Sequence, residues 1–175
     1  MQTTIRTYSG KAIDFLDPKP NQFKFVDIAY GLSTEYRFAG QTPRKYTVLQ
    51  HLLACESLAA DRQFAPAARA TVLMHDAAEA FMRDIPRPLK NLLPGYKEIE
   101  DRLLRLICDK YSVDLQGYAN AIEICDEAAL AAEQSYLWDK SIKVRPRGVY
   151  QAVSATKQIR EFFRVAKSLG INVSR

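Results

Sequence analysis

The segment HDAAEAFMRDIPRP, residues 75–88, constrains the fold of this chain more than any other stretch. It follows the apolar run ATVLM, which is typical of the buried body of a helix, and it adds His75, Asp76, Glu79 and Asp84 in quick succession. Charged side chains on a buried helix need ionic partners or a metal ion, because an isolated buried charge is very costly. Other segments of the chain are therefore expected to place partner groups opposite these four residues.

Apolar residues recur at helical spacing along most of the chain, which predicts an all-α fold. Thr47 can cap a helix, and Pro66 suits the first turn of the next one. Pro86, Pro88 and Pro94 exclude a regular helix from DIPRPLKNLLPG. The predicted helices are Phe25–Thr34, Thr47 to about Arg62, Pro66 to about Phe81, Tyr96–Tyr111, about Gln116 to Trp138, and Val149–Leu169.

The start of the chain differs in character from the rest. Residues 1–24 combine Gly10, Pro18 and Pro20 with β-favouring pieces such as TIRTY, which predicts an irregular or strand-like arm. A chain of 175 residues is long enough for one domain with a real core and short for two. We therefore predict a single domain, divided into the arm (1–24), the core that would carry the chemistry (25–138), and a C-terminal loop and helix (139–175).

Charge and hydropathy narrow the class of protein. No stretch approaches the ~20 apolar residues of a membrane helix, and the start MQTTIRTYSGK has no apolar signal segment. The net charge is +5 without a long Lys/Arg run, which favours an anionic small molecule over nucleic acid as the ligand. Cys55, Cys108 and Cys125 show no CxxC spacing and are predicted to be buried, reduced thiols. We therefore expect a cytoplasmic protein with no membrane partner.

The chain has two histidines, His51 and His75, and they fall on successive predicted helices joined by a short loop. Such helices pack antiparallel, so the two imidazoles are expected to lie close together. The i, i+4 spacing places Glu79 on the helical face of His75, with Asp76 beside them. These residues are a first indication of a site with both nitrogen and oxygen ligands.

A third predicted helix contributes the segment IEICDEAALAAEQSY. Its apolar stripe includes Ile122 and Cys125, and Asp126 borders that stripe, so the Asp126 carboxylate should be partly buried. Glu123 and Glu127 are the neighbouring alternatives. Two imidazoles and two carboxylates from three helices suit one divalent transition metal, with positions left open for water and substrate.

This combination of residues resembles a known family. A histidine (His51), a His-Asp pair (His75 and Asp76) and a distant aspartate (Asp126) form the pattern of the HD-domain superfamily of metal-dependent phosphohydrolases. HDAAEAFMRDIPRPLK followed by GYKEIE is similar to the subfamily of bacterial 5′-deoxynucleotidases and small phage and bacterial HD hydrolases, including phage dATP triphosphohydrolases. The resemblance covers roughly Phe25–Trp138. It implies a single HD-domain helical bundle that binds one Co²⁺, Mn²⁺, Zn²⁺, Ni²⁺ or Fe²⁺ ion.

The resemblance also implies roles for individual residues. Glu79 would be the general acid/base or position the water, and Asp84 would help to activate that water. Arg37 would contact phosphate and sugar or base together with Phe38, at a position where the deoxynucleotidases have tryptophan. Gln50-His51-Leu52 replaces the Glu-His-Ser of close relatives, which changes the groups that can orient the first histidine. The implied metal ligands are His51, His75, Asp76 and Asp126. Further cations that could receive phosphate are Arg87, Lys90 and Lys97, with Arg44 and Lys45.

We therefore expect a metal-dependent phosphohydrolase that acts on (deoxy)nucleotides and releases phosphate from 5′-deoxynucleoside monophosphates. One alternative is a dATP-type dNTP triphosphohydrolase, which releases triphosphate. A second is a non-catalytic HD module that binds a nucleotide or a partner protein, although Glu79 and Asp84 favour catalysis. A nucleic-acid-binding helical domain is a third. The resemblance also implies a homo-oligomer, either a dimer or a larger ring.

Overall fold

The computed structural model describes residues 2–174, and most of them are helical. This confirms the predicted all-α fold with a short strand-like arm. In the arm, two strands pair antiparallel with Ile5 opposite Ile13. The elements in chain order are β1 Thr4–Arg6, β2 Ala12–Asp14, α1 Phe25–Thr34, α2 Val48–Asp61, α3 Pro66–Met74, α4 Glu79–Met82, α5 Arg87–Lys90, α6 Tyr96–Tyr111, α7 Ala119–Trp138 and α8 Ala155–Ser168.

Local sequence signals set several helix starts as predicted. Thr47 caps α2, because its hydroxyl accepts from the Gln50 backbone N–H at 3.2 Å and its own N–H donates to Gln50 Oε1 at 3.0 Å. Pro66 occupies the first turn of α3. The capping box fixes where α2 begins, and it thereby places His51 in the first turn of that helix.

The helix predicted from Pro66 to Phe81 is broken, and that prediction is wrong. α3 ends at Met74, and the chain turns before α4 with a bond from Glu79 N to Asp76 O at 3.0 Å. In a continuous helix the Val72 carbonyl would accept from the backbone of Asp76, but here it accepts from His75 Nδ1 at 2.8 Å. His75 and Glu79 therefore do not share one helical face, although both are buried.

The last helix also begins later than predicted. Residues 149–154 precede α8 and are tied to the start of α2 instead of forming a helical turn. Tyr150 N donates to the Tyr46 hydroxyl at 2.7 Å, and Gln50 Nε2 donates to the Gln151 carbonyl at 2.9 Å. These tertiary bonds satisfy backbone groups that a helix would otherwise satisfy.

Two smaller differences lie in the middle of the chain. α7 begins at Ala119 and not at Gln116, because the Asp114 side chain accepts from Gly117 N at 2.9 Å and holds a turn there. The proline-rich segment contains the single helical turn α5, with Pro88 in its first turn, where no backbone donor is needed.

One hydrophobic core runs from the hairpin to the end of the chain. It includes Ile13 of β2, Phe25 of α1 and Ile171 beyond α8, all of which are buried. The Phe25 ring stacks on Phe162 with centroids 4.9 Å apart and meets Phe163 edge-on at 4.9 Å. These rings hold α8 against α1.

A second apolar cluster joins α2, α3 and α7. Its buried members include Cys55 on α2, Val72 on α3 and Cys125 on α7. Because the three helices pack on one another, the positions of His51 and Asp126 are fixed relative to the end of α3. None of the helices within residues 2–174 is both long and apolar enough to cross a membrane.

Candidate metal centre

All four predicted ligands converge at one place between α2, α3 and α7. The imidazole rings of His51 and His75 meet edge-on with centroids 5.5 Å apart. His51 Nε2 lies 3.1 Å from Asp126 Oδ1 and 3.7 Å from Asp76 Oδ2. His51 is fully buried, and His75 is 8% exposed. The two imidazoles and the Asp126 carboxylate thus face one another, and Asp76 Oδ2 approaches both histidines.

His75 presents an unsatisfied nitrogen to this cluster. Its Nδ1 donates to the Val72 carbonyl at 2.8 Å, so Nε2 carries the lone pair. Nε2 is buried and has no hydrogen-bond partner among residues 2–174, since Asp76 Oδ2, 3.3 Å away, does not meet it in hydrogen-bond geometry. An unsatisfied buried polar atom costs about 1–3 kcal/mol. A bound cation would satisfy it.

His51 is oriented by a residue that the sequence analysis missed. Glu133 Oε1 lies 2.8 Å from His51 Nδ1, and its second oxygen accepts from Arg37 Nε at 2.9 Å. Histidines that bind metals commonly donate their other nitrogen to a carboxylate in this way. Glu133 follows Asp126 by seven positions on α7, a spacing of two helical turns that points to the same face.

A cysteine also lies within this centre. Cys55 Sγ is 3.4 Å from His51 Nε2. One ligand atom each from His51, Cys55, His75 and Asp126 lie within 4.8 Å of one another. Cys55 is buried and free, as predicted for a reduced thiol, but it lies one helical turn after His51 and not at a remote site. The buried His/Cys/His/Asp cluster could bind a metal ion.

A cavity of about 390 Å³ adjoins the cluster and collects most of the other predicted site residues. Both predicted catalytic carboxylates, Glu79 and Asp84, line it. A larger cavity of about 630 Å³ lies along α6 and the turn that follows, and the residues lining it include none of the predicted site residues. The substrate-binding candidates at the smaller cavity are Arg37, Phe38, Arg87 and Lys90.

Three of the predicted cations are not brought to this cavity. Lys97 does not line it and instead pairs with Asp101 Oδ2 at 3.1 Å on the exposed side of α6. Arg44 donates to the backbone carbonyls of Tyr136 and Ile142, so it anchors the end of α7. Lys45 donates to the Gly40 carbonyl at 2.9 Å. Arg44 and Lys45 thus hold loops, Lys97 pairs along a helix, and none of the three lines the cavity.

The loop YRFAGQTP has the composition of an exposed segment, but Arg37 within it is largely buried. Arg37 is only 9% exposed, and its Nη1 lies 3.9 Å from Asp76 Oδ2. The following residue, Phe38, has a left-handed φ of 56°, and its ring packs edge-on against Trp138 with centroids 4.9 Å apart. The loop turns back on itself because Arg37 is held by the buried carboxylate of Glu133.

Comparison with known proteins places the chain in a family. It is 41% identical over 130 residues to the uncharacterized protein YfdR of Escherichia coli strain K12, covering 74% of this chain and 70% of YfdR. The chain belongs to the YfdR family. It is also 38% identical over 103 residues to an uncharacterized protein of Rhodobacter capsulatus, covering 56% of this chain and 53% of that protein. No model of a protein family matches it.

In this YfdR-family chain, burial and neighbouring charges have opposite effects on the pKa values of the clustered side chains. Burial and Arg37 lower the pKa of His51, but the Cys55 sulfur and the Glu133 and Asp126 carboxylates outweigh them, so that pKa lies well above its ordinary value. Burial raises the pKa of Asp126, but the bond from His51 and the nearby cations bring it well below its ordinary value. In the metal-free cluster, His51 Nε2 faces Asp126 Oδ1 at 3.1 Å.

The cavity of this YfdR-family chain also holds a carboxyl group with a strongly raised pKa, that of Glu79. Burial raises the pKa of Glu79 well above its ordinary value of 4.5, and the Asp76 and Asp84 carboxylates raise it further. Glu79 Oε2 has no hydrogen-bond partner within the described part of the chain, and Lys90 Nζ is 3.8 Å from Oε1. Burial also raises the pKa of Asp84, but less strongly, and Arg37 and Lys90 oppose that rise. The two carboxyl groups therefore differ in how firmly they hold a proton.

Proposed function

We propose that this YfdR-family chain is a metal-dependent phosphohydrolase of the HD-domain type that acts on (deoxy)nucleotides. The observation that carries the proposal is His75 Nε2, which is buried without a hydrogen-bond partner among residues 2–174. It belongs to a cluster of candidate ligands beside a cavity with cationic and acidic walls. A divalent ion held by His51, His75, Asp76 and Asp126 would neutralise charge on a phosphoryl oxygen and lower the pKa of nearby water toward 7.

The chain's own residues support the remaining roles. Arg37 is held rigid by Glu133, which keeps its remaining N–H donors available for phosphate beside Asp76. The raised pKa of Glu79 suits it to donate a proton to the leaving oxygen of the ester. Asp84, which loses its proton more readily, is suited to accept one from the attacking water. Phe38 lines the cavity and offers an apolar surface to the sugar or base.

The size and charge of the cavity favour a nucleoside monophosphate. Its volume of about 390 Å³ falls at the small end of the range of roughly 300–1,000 Å³ for ligand pockets. A triphosphate would add about two to three negative charges that need cationic partners. Lys97, Arg44 and Lys45 have other partners outside the cavity, and Lys90 already pairs with Glu100 at 2.8 Å. The cations that remain available at the cavity are few, and their number suits a single phosphate group.

The deciding experiment is ³¹P NMR of reactions on dAMP and dATP with Co²⁺ present. We expect orthophosphate from dAMP, with dATP unchanged. Tripolyphosphate from dATP, with dAMP unchanged, would instead establish the triphosphohydrolase. If neither nucleotide is hydrolysed with Co²⁺, Mn²⁺ or Mg²⁺ but both bind, the chain is a nucleotide-binding module and the proposal is wrong.

A further inference from the structure

Cys55 lies inside the metal centre, although neither the predicted ligand set nor the proposed mechanism uses it. Its Sγ is 3.4 Å from His51 Nε2, and Asp126 Oδ1 approaches that same nitrogen at 3.1 Å. The thiol is fully buried one helical turn after His51. His75 Nε2, which is also buried and has no partner within residues 2–174, completes the cluster. The side chain is therefore placed as a ligand would be.

The distances suit a four-coordinate ion. The ligand atoms of His51, Cys55, His75 and Asp126 lie within 4.8 Å of one another. Tetrahedral zinc sites have bonds of about 2.0–2.1 Å to nitrogen and about 2.3 Å to sulfur, which places their ligand atoms roughly 3.3–3.8 Å apart. Small inward shifts of side chains would therefore close this set around an ion without any ligand from Asp76.

We propose that Cys55 is a metal ligand, and that it gives the centre a second coordination set, His51–Cys55–His75–Asp126, which selects a thiophilic ion such as zinc. The cysteine binds as the thiolate, and its proton passes to the buffer. This inference rests on the metal centre of the proposed function but not on its substrate.

The two coordination sets differ in the chemical softness of their ligands and in whether they leave a coordination position open for substrate. The set with Asp76 has two imidazoles and two carboxylates, which accept harder ions such as Mn²⁺. The set with Cys55 contains a soft sulfur ligand, and four protein ligands around a tetrahedral ion leave no position for substrate. Asp76 would then be free to pair with Arg37 Nη1, which is 3.9 Å away. Zinc should therefore bind tightly and support hydrolysis less well than manganese.

Absorption spectroscopy of the cobalt-substituted protein tests the ligand directly and needs no substrate. Bound Co²⁺ should give a thiolate-to-cobalt charge-transfer band in the near ultraviolet. Cys55→Ser and Cys55→Ala should both lose this band while elemental analysis still finds cobalt. Cys108→Ser and Cys125→Ser are the matched controls, because they replace buried free cysteines outside the ligand set, and both should keep the band.

A competition experiment with a chelator gives a second measurement. Cys55→Ser should weaken zinc binding by at least about tenfold, because it removes the soft ligand, and leave manganese binding nearly unchanged. Wild-type protein that binds cobalt without a thiolate band would overturn the inference and leave the proposed function standing. A band that persists in both Cys55 variants would overturn it as well. A band in a protein that hydrolyses neither dAMP nor dATP would support the inference and contradict the proposed function.

Discussion

At the scale of single residues, Glu79 combines a buried position with an oxygen that lacks a partner among residues 2–174. Its raised pKa means that the folded, metal-free protein holds a proton that the unfolded chain releases near the ordinary value of 4.5. The stability that this proton contributes is complete below pH 4.5 and is lost as the pH rises through the raised pKa. Glutamine has the same shape and stays neutral, so it removes this dependence.

Glu79→Gln should therefore have opposite effects on stability and on turnover. Thermal unfolding of metal-free protein at increasing pH should show wild type losing stability relative to the variant. With metal, hydrolysis should fall by about 10²–10⁴-fold, because the neutral amide has no proton to transfer. Elemental analysis should find the metal retained. Turnover close to wild type would show that Glu79 is not the acid/base group.

Arg37 and Glu133 form a buried ion pair, and removing Arg37 takes away the cation that faces Glu133 Oε2. Arg37→Met should reduce the free energy of unfolding by about 3–5 kcal/mol, measured by urea denaturation, and Glu133→Gln should reduce it as well. The double variant Arg37→Met with Glu133→Gln should recover much of this loss, because glutamine keeps an acceptor for His51 without the charge. Additive losses in the two single variants and the double variant would contradict the coupling.

At the scale of elements, the site depends on how closely α1 approaches the turn that carries Glu79. A Cβ added at Gly31 would lie 2.4 Å from the Ala80 carbonyl oxygen, so glycine is required for this contact. The strained backbone of Arg83, with φ of 75°, then directs the chain from α4 toward Asp84. Both proposed catalytic carboxylates are thus positioned by backbone packing as much as by side-chain bonds.

Gly31→Ala should disturb this arrangement. Alanine favours a helix by about 1 kcal/mol over glycine, but the overpacking against Ala80 costs about 1–3 kcal/mol and shifts α4. We expect lower stability and a larger fall in kcat than in metal content. Thr34→Ala, an exposed change on the same helix, is the control and should alter none of these. Unchanged kcat in a folded Gly31→Ala protein would show that α4 tolerates displacement.

At the scale of the whole molecule, an ion at the centre would tie α2, α3 and α7 together. Binding of Co²⁺ at a hundred times its dissociation constant should stabilise the folded protein by about 2.7 kcal/mol. Chemical denaturation with and without a chelator measures this difference. Asp126→Ala should lose both the metal and the added stability, whereas Glu123→Ala and Glu127→Ala, at exposed positions of the same helix, should keep both. Full metal content in the Asp126→Ala protein would exclude Asp126 as a ligand.

The sequence predicted the features that depend on neighbouring residues and missed those that depend on residues far apart in the chain. The bounds of α1 and α6 match the prediction, because local periodicity and turn residues determine them. The break after Met74 was missed, since it depends on His75 bonding to a backbone carbonyl. The burial of Arg37 was missed as well, because its partner Glu133 is 96 residues away in the chain. Contacts between residues so far apart in the chain leave no periodic pattern in the sequence.

Glu133 also has a consequence for selectivity. One of its oxygens bonds to His51 and the other to Arg37. A single rigid carboxylate therefore acts as a spacer between the position suited to a cation and the position suited to an anion. Molecules whose charged groups match that fixed interval can engage both positions at once, whereas longer or shorter ones can engage only one. Under the proposed function, Glu133 would therefore set the spacing of the charged groups that a ligand must match, although it is not among the residues that line the cavity.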